Sequence, residues 1–406
     1  MKRLALLAAV LPLAVAAQST LHGHVTAADN GKPLAGASIF ISNTSRGTVT
    51  DENGAFTLTG VPEGRYVLVI SSVGYQTDLE AIDSRSPRTD FEVSLRTKVA
   101  ELGEVRVQAF DKDGYKRWGA VFRDNFIGTS DFARSCRILN PEVIRIHYAP
   151  KSQVLDAYSD GPILVENRDL GYEVQVTLES FRYEMTTRSV AFSFFPLFKE
   201  MPGSPTKVTR WERNRATAYY GSALHFFRAL YQDRLTEEGF TLHMEGRKDS
   251  VLIRRLKGNL RQALAAARDS AGPEGARAMP EALLQQDFLT GYNRALDDIR
   301  NEPLIFYPYE VHPREAIVVA RDSNTVVLDW DLVLKVLYLR AAPPDRYRGA
   351  GGMSTDLELL RGFPMEVFPN GSYMNTDLVF QGYWTWWQKI GNLLPYDYIP
   401  PKQNPL

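Results

Sequence analysis

Apolar and polar residues alternate in short runs from residue 18 to residue 97. Leu21 and Val25 alternate with His22 and His24, which is the period of a strand with one buried face. The apolar positions of the other predicted strands are Ala37, Ile39, Ile41, Phe56, Leu58, Tyr66 to Ile70, Phe91, Val93 and Leu95. Turn dipeptides such as Asn53-Gly54 separate these runs. Residues 18–97 are therefore predicted to form a small antiparallel β-sandwich.

The rest of the chain is predicted to be mainly β with helical insertions. Residues 98–117 indicate a final strand and a linker, and residues 118–406 a second β-rich α+β domain. Helical patterns occur from Ser130 to Ile138, around 222–238 with Ser222 as N-cap and Gly239 as stop, and around 251–300. Strands are predicted at 143–148, 163–166, 172–178, 190–195, 304–309, 316–320, 325–328 and 333–339.

The first 17 residues have the pattern of a secretory signal peptide. Lys2 and Arg3 precede an apolar run from Leu4 to Val15, and the small residues Ala16 and Ala17 follow it. The run is too short to cross a bilayer core of about 30 Å. We expect export, to the periplasm, the outer membrane or the cell surface. No later stretch has 18 apolar residues, so no transmembrane helix is expected in the mature chain.

Four sequence blocks in residues 18–97 resemble the carboxypeptidase-like regulatory domain, a transthyretin-like sandwich of exported proteins. The blocks are Gly31-x-Pro33-Leu34-x-Gly36-Ala37, Thr50-Asp51-Glu52-Asn53-Gly54-x-Phe56, Val61-Pro62-x-Gly64-x-Tyr66 and Ser72-Val73-Gly74-Tyr75. The resemblance implies an accessory domain that performs no chemistry itself. The second part is similar to that of exported bacterial proteins carrying this domain, in the blocks Phe126-Ile127-Gly128, Glu166-Asn167-x-x-Leu170-Gly171-Tyr172, Gly221-Ser222-x-x-His225-Phe226 and Leu394-Pro395-x-Asp397-Tyr398.

Charge and cysteine content narrow the functional classes. The formal net charge is −1, and without residues 1–17 there are 45 basic and 48 acidic residues. No broad basic surface for nucleic acid is expected from this balance. Cys136 is the single cysteine, which excludes an intrachain disulfide and a zinc site built from cysteines.

The histidines argue against a zinc peptidase, which the name of the resembling family would otherwise bring to mind. Such an enzyme holds zinc with a His-x-x-Glu pair and a distant downstream histidine. His312 and Glu315 have this spacing, but no histidine follows them. His22 and His24 are expected on the solvent face of a strand rather than as a metal pair. We therefore predict no metal, no cofactor and no catalytic residue.

Two clusters are candidate binding sites. Arg215, His225 and Arg228 surround the start of the helix predicted at 222–238, where they could bind an anion such as a carboxylate. The alternative is a helix held against a sheet by buried arginine–carboxylate pairs. The second cluster is Trp384, Trp386 and Trp387, which could stack on sugar rings or fill a core.

These features predict a non-enzymatic exported envelope or surface protein that acts in binding or assembly. Its partner would be an envelope protein or a glycan. One alternative is a carbohydrate-binding protein that uses the three tryptophans. The other is a hydrolase of unknown type, with Glu166, Glu212 and Asp397 as possible carboxylates.

Overall fold

A computed structural model describes residues 19–62, 64–84, 89–97, 110–247, 304–310, 317–322, 324–330, 333–349, 351–359, 364–374 and 378–401. The predicted signal peptide, residues 98–109 of the predicted linker and the helical segment at 251–300 lie outside these residues. His312 and Glu315 lie outside them as well.

The N-terminal part is a sandwich of two sheets. Its strands are β1 (Ser19–Ala27), β2 (Ser38–Ile41), β3 (Gly47–Val49), β4 (Ala55–Val61), β5 (Arg65–Ser71), β6 (Asp78–Asp83) and β7 (Asp90–Leu95). One sheet has the order β4-β1-β7 and the other the order β3-β2-β5-β6. In β1, Leu21 and Val25 are buried while His22 and His24 are exposed. The alternation in the sequence is thus confirmed as a division between core and solvent.

One strand pair departs from the antiparallel prediction. β1 and β7 run in parallel, with Val25 opposite Val93, whereas the pairs β1–β4, β2–β3, β2–β5 and β5–β6 are antiparallel. β7 follows a strand of the opposite sheet, so no hairpin dictates its direction beside β1.

The turn before β4 contains Asn53-Gly54 but is not a hairpin, because β3 and β4 belong to opposite sheets and the turn leads the chain from one to the other. The Asp51 carboxylate accepts the backbone N–H groups of Asn53 and Ala55 at 2.8 and 2.9 Å. Gly54 has a φ of 76°, and a Cβ there would lie 2.5 Å from the carbonyl oxygen of Val25. Only glycine fits this close approach to β1.

The second part begins with a six-stranded sheet. Its strands are β8 (Cys136–Ile138), β9 (Ile144–Ala149), β10 (Val154–Ser159), β11 (Ile163–Asn167), β12 (Tyr172–Glu184) and β13 (Ser189–Glu200). The first half of β12 pairs with β11 and its second half with β10, while β13 lies along the other edge of β12. These strands confirm the predictions at 143–148, 163–166, 172–178 and 190–195.

Two helices near the start of this part correct the sequence predictions. Helix α1 (Gly114–Phe126) begins inside the predicted linker. The stretch from Ser130 to Ile138 is not one helix, because helix α2 covers only Asp131–Arg134 and Cys136–Ile138 joins the sheet as β8. Ser130 is the N-cap of α2, and its hydroxyl accepts the N–H of Ala133.

Two further helices follow β13. Helix α3 (Pro205–Tyr219) was not predicted, although Ser204 and Pro205 are a typical helix start. Helix α4 (Ala223–Gln232) has Ser222 as its N-cap, as predicted. The predicted stop at Gly239 is wrong, because Asp233 adopts a left-handed conformation with φ of 61° and ends the helix.

The C-terminal part adds two sheets and a short helix. The five-stranded sheet has the order β15-β14-β18-β19-β22, and the four-stranded sheet β16-β17-β20-β21. Their bounds are β14 (Phe240–Arg247), β15 (Leu304–Glu310), β16 (Val318–Arg321), β17 (Val326–Leu328), β18 (Val333–Tyr338), β19 (Met353–Leu359), β20 (Met365–Val367), β21 (Tyr373–Met374) and β22 (Leu378–Gly382). Helix α5 covers Tyr383–Trp387. The strands predicted between 304 and 339 are confirmed.

One hydrophobic core runs through the second part, and the sandwich has its own. Phe226 and Phe227 of α4 are fully buried in the larger core, where the ring of Phe226 lies 5.3 Å from that of Trp384. The fold is thus mainly β with a few helices. Within the part of the chain that the structure describes, no helix is both long enough and apolar enough to cross a membrane.

Candidate functional site

Arg215 is a buried residue of α3 that holds the turn between β11 and β12. Its Nε donates to the carbonyl oxygen of Leu170 at 2.7 Å and its Nη2 to that of Gly171 at 3.3 Å. Its Nη1 binds the carboxylate of Glu200 at 2.6 Å. The guanidinium also lies 3.9 Å above the ring of Tyr172, a cation–π contact that is favourable inside a protein.

His225 is a buried residue of α4 that bonds through both ring nitrogens. Its Nδ1 accepts the backbone N–H of Gly221 at 3.1 Å, so the proton of the neutral ring is on Nε2. That nitrogen donates to the Glu238 carboxylate at 3.2 Å. Burial lowers the pKa of His225 to about 4, although Glu238 acts in the opposite direction. The imidazole is therefore neutral at pH 7.

Arg228 of α4 connects three backbone carbonyls from two distant segments. Its Nε donates to Asn370 at 2.9 Å, its Nη1 to Tyr398 at 2.9 Å and its Nη2 to Tyr396 at 3.0 Å. The planar guanidinium suits this task, since it presents several donors in fixed directions. Arg228 thus holds the C-terminal segment and the turn at Asn370 against α4.

The three residues of the predicted anion site lie on the neighbouring helices α3 and α4, but each forms its hydrogen bonds with a different segment of the chain. Arg215 forms the expected arginine–carboxylate pair with Glu200, whereas Arg228 uses carbonyl oxygens. A neutral His225 contributes no positive charge. These contacts favour the alternative stated above, in which the cluster holds the helices in place. Binding of an external anion stays a prediction.

The three tryptophans have two different environments. Trp384 and Trp387 are 2% and 4% exposed, and their indole N–H groups donate to the carbonyl oxygens of Gly221 and Ala218. Trp386 is partly exposed, and its indole N–H donates to the Thr129 hydroxyl at 2.9 Å. Two of the three therefore belong to the core, and Trp386 alone of them could offer a face to a ligand.

The three candidate carboxylates have separate surroundings. Glu166 is paired with Arg168 at 2.8 Å and Arg137 at 3.7 Å. Glu212 is exposed on α3. Asp397 accepts hydrogen bonds from Ser45 of the sandwich. Their contacts do not bring two of these acids together, as paired carboxylate catalysis requires.

The histidine pair of β1 lies on the solvent face, as predicted. His22 contacts the Thr57 hydroxyl at 3.1 Å, and His24 lies 3.6 Å from the carboxylate of Glu92. Across the residues described above, no three histidine, cysteine, aspartate or glutamate side chains are grouped so that they could hold a metal ion.

An open cleft of about 680 Å³ lies at the start of α1. Side chains of both charges line it: Lys112, Lys116 and Arg145 are basic, and Asp111 and Glu142 are acidic. Arg145 is also paired with Asp160, which lies outside the lining. This mixed lining defines no sign of ligand charge, and none of the predicted site residues lies in the cleft.

The sandwich docks on the second part through backbone hydrogen bonds. The docking loop, which we define as residues 43–45, follows β2. The N–H of Asn43 donates to the carbonyl of Pro196 at 2.8 Å, and the N–H of Phe198 donates to the carbonyl of Thr44 at 2.9 Å. Thr44 and Leu197 thereby form a parallel bridge. The docking loop adds a short strand to the outer edge of β13.

The C-terminal segment strengthens this junction. The N–H of Tyr396 donates to the carbonyl of Asn43 at 2.6 Å, and the Tyr396 side chain packs against both hydrophobic cores. Burial raises the pKa of Tyr396 to about 12. The Asp397 carboxylate accepts the N–H and the hydroxyl of Ser45. A further ion pair joins Arg65 of the sandwich to Glu366 at 3.0 Å.

Sequence reasoning missed the docking loop and one buried lysine. Lys389 is 7% exposed, and its ammonium lies 4.8 Å from the centre of the Phe192 ring. Burial lowers its pKa to about 8. A polar Asn-Thr-Ser run after a strand looks like an ordinary turn, and a lone lysine looks like a surface residue. The one available signal was the block Leu394-Pro395-x-Asp397-Tyr398, which contains the junction residues.

Comparisons with known proteins agree with the resemblance of the sandwich. Residues 21–107 match the family model described as CarboxypepD_reg-like domain. A TonB-dependent receptor of Formosa agariphila is 37% identical over 91 residues, which are 22% of this chain and 8% of that receptor. The N-terminal sandwich is thus a CarboxypepD_reg-like domain. The match extends over only a small part of the receptor's length.

Two solved structures are similar to about one fifth of the chain. A cohesin–X–dockerin complex of type II from Acetivibrio cellulolyticus is 24% identical over 20% of this chain and 58% of its own, with a TM-score of 0.17. A catechol 1,2-dioxygenase from Acinetobacter is 16% identical over 20% of this chain and 53% of its own, also with a TM-score of 0.17.

Proposed function

We propose that this chain is an exported envelope protein without enzymatic activity, whose sandwich and second part act as one unit in binding or assembly. The N-terminal signal pattern supports export. The domain type of residues 21–107 supports an envelope location, since a TonB-dependent receptor carries the same type of domain.

The junction between the two parts carries this proposal. Backbone hydrogen bonds from Asn43 and Thr44 extend the sheet edge of β13, and Tyr396 packs into both cores. A sandwich attached in this way cannot swing on a linker without breaking these bonds. The molecule therefore presents surfaces of both parts in a fixed arrangement, which lowers the entropic cost of binding a partner.

The buried polar residues fit the same function. Arg215, His225 and Arg228 connect helices, turns and the C-terminal segment to each other. Each would be needed to maintain the frame rather than to act on a substrate. A binding or assembly protein requires such a frame, and its partner would contact the outer surfaces.

Fractionation of the cells that produce the protein tests the proposal. The full chain is expected in the envelope fraction, and blue-native electrophoresis should place it in a complex larger than its own 45.7 kDa. A chain that lacks residues 1–17 is the control and should stay in the cytoplasm. A monomer at the same level in both preparations would contradict the proposal.

Trp386 supports carbohydrate binding as a second candidate function. Its ring is partly exposed and lies 5.4 Å from that of Tyr347, so the two could contact one sugar ring through apolar surfaces. A glycan array with the full chain tests this function. Signals that disappear in Trp386→Ala and persist in Trp386→Phe support it, and an array without signals contradicts it.

A further inference from the structure

Part of the outer edge of β13 has free backbone groups. Pro196 and Phe198 bond outward to the docking loop, and outward positions alternate along a strand. Val190, Phe192 and Phe194 therefore also direct their N–H and carbonyl groups away from β12. Among the residues that the structure describes, none bonds to these groups. The docking loop shows that this edge accepts an added strand.

The free stretch contains neither charged residues nor prolines, two features that normally protect a sheet edge, although β12 has a bulge opposite Ser193 and Phe194. Residues 189–195 read Ser-Val-Ala-Phe-Ser-Phe-Phe and contain no charge and no proline. Exposed edges usually carry charged residues, prolines or bulges that prevent pairing with another chain. Pro196 occurs only where the docking loop already covers the edge. An edge without charges or prolines is expected to be covered in the working protein.

A buried ammonium lies next to this free edge. Lys389 is more than nine-tenths buried and its Nζ is 4.8 Å from the centre of the Phe192 ring. No described carboxylate lies within ion-pair distance of it. The contact with Phe192 is a cation–π contact, but a buried ammonium without a carboxylate still has an unfavourable free energy, which a carboxylate partner lowers.

Charge also argues against a second copy of this chain on the same edge. Two β13 edges that pair antiparallel around Phe192 would be related by a two-fold axis. Both Lys389 ammonium groups would then lie on one face of the joined sheet, close to the paired Phe192 rings. Like charges in this position disfavour the pairing. A segment with a carboxylate has the opposite effect.

We propose that the β13 edge from Val190 to Phe194 binds an extended segment of a partner protein as an added strand, with a carboxylate of that segment placed on the Lys389 ammonium. This inference rests on the proposed binding function and names its contact surface. Backbone hydrogen bonds to Val190, Phe192 and Phe194 supply affinity without sequence selection. Lys389 supplies the selection, because it favours a segment with one acidic side chain near its middle.

Synthetic peptides test this inference on the full chain. The probe is a fluorescent seven-residue peptide of alternating threonine and valine around a central glutamate. A matched peptide has glutamine at the centre, and a third carries N-methyl groups on alternate amides. Fluorescence anisotropy should show saturable binding of the glutamate peptide, with binding weaker by about tenfold for the glutamine peptide. The N-methylated peptide should not bind.

Variants of the chain locate the site. Lys389→Met should bind the glutamate and glutamine peptides equally. Val190→Pro removes an outward N–H that makes no bond to β12, a position where natural edge strands tolerate proline. It should weaken binding of the glutamate peptide by about tenfold. Val190→Ala is its control for the lost side chain and should bind normally. Urea unfolding of each variant confirms that it is folded.

The outcomes separate this inference from the proposed function. No binding of the glutamate peptide, or equal binding of the glutamate and glutamine peptides by the wild type, overturns the inference. So does a concentration-dependent dimer in sedimentation velocity that Val190→Pro abolishes, since a second copy then covers the edge. If the envelope complex seen by electrophoresis persists in Val190→Pro and Lys389→Met, the proposed function stands and this surface is the wrong one.

Discussion

Ser45 and Asp397 are 352 residues apart in sequence, and their contact joins the sandwich to the C-terminal segment. The backbone N–H of Ser45 donates to Oδ1 of Asp397 at 3.1 Å, and the Ser45 hydroxyl donates to Oδ2. Only 14% of the Asp397 side chain is exposed, whereas Ser45 is exposed, so water can reach the two Ser45 donors when the carboxylate is removed.

Asp397→Ala should lower the free energy of unfolding by about 1 kcal/mol, since hydrogen bonds to water replace those that Ser45 makes to the carboxylate. Asp397→Asn keeps one acceptor oxygen and should lower the free energy of unfolding by less. Urea denaturation measures both. Asp29→Ala on an exposed turn is the control, with a change within about 0.5 kcal/mol. Equal stability of Asp397→Ala and the wild type would show that the junction does not depend on this carboxylate.

Arg228 gives the second prediction, because no other side chain can replace its three bonds. Arg228→Lys offers a single ammonium in place of a planar group with fixed directions. We expect Arg228→Lys and Arg228→Met to lower the free energy of unfolding by a similar amount, about 2–4 kcal/mol. In both variants the carbonyl groups of Tyr396 and Asn370 lose their hydrogen-bond donors.

Chemical denaturation measures this loss, and Arg234→Met serves as the matched control. Arg234 is half exposed and pairs with Glu237 and Glu238, so its removal should cost at most about 1 kcal/mol. Limited proteolysis should also cut the C-terminal segment faster in Arg228→Met. Full rescue of stability by lysine would contradict the geometric role given to the guanidinium.

The sequence could predict most strands because each carries its own signal. In β1 and β12 the alternation of apolar and polar residues matches burial closely. Helix α1 was missed although Trp118, Phe122 and Phe126 recur at four-residue steps, because the preceding strand-like residues favoured a linker. The parallel pairing of β1 with β7 had no local signal at all, since it depends on a crossover between sheets.

The site was harder to predict than the fold, for a physical reason. The sequence singles out Arg228 as a candidate site residue. Its hydrogen-bond partners, however, are the backbone carbonyl groups of Asn370, Tyr396 and Tyr398, which lie far along the chain. Every residue has such a carbonyl, so the sequence cannot distinguish the ones that are used. An arginine near a histidine then looks like an anion site, whereas its positive charge is already satisfied by the fold.

His225 gives a prediction about pH. Its pKa falls from 6.5 to about 4 in the folded protein, so the unfolded chain binds more protons between these values. The contribution of the neutral imidazole is therefore complete above pH 6.5 and is lost as the pH falls toward 4. The loss should reach about 3 kcal/mol at most.

Urea denaturation at pH 7 and pH 5 measures this effect against a variant that cannot titrate. His225→Gln should be less stable than the wild type at pH 7, because it replaces two well-placed ring nitrogens. The difference between the two proteins should shrink at pH 5. A difference that stays constant would mean that His225 titrates equally in the folded and unfolded chains.

Lys389 gives the last prediction, in which a substitution stabilises the protein. Its pKa falls from 10.5 to about 8 on folding, so the folded chain holds an unfavourable charge at pH 7. Lys389→Met removes the charge and keeps a long apolar side chain, and it should raise the free energy of unfolding at pH 7 by up to about 3 kcal/mol. Between pH 8 and pH 10.5 the wild type loses this proton when folded before it does when unfolded. Its stability therefore rises with pH relative to the variant.

The advantage of Lys389→Met should consequently be largest at pH 7 and should narrow by pH 9.5, as measured by urea denaturation at both values. Lys207→Met on the exposed start of α3 is the matched control and should show no such dependence. A variant that is less stable than the wild type at pH 7 would mean that the ammonium already has a favourable partner within the chain. The carboxylate proposed for the β13 edge would then have no charge to neutralise.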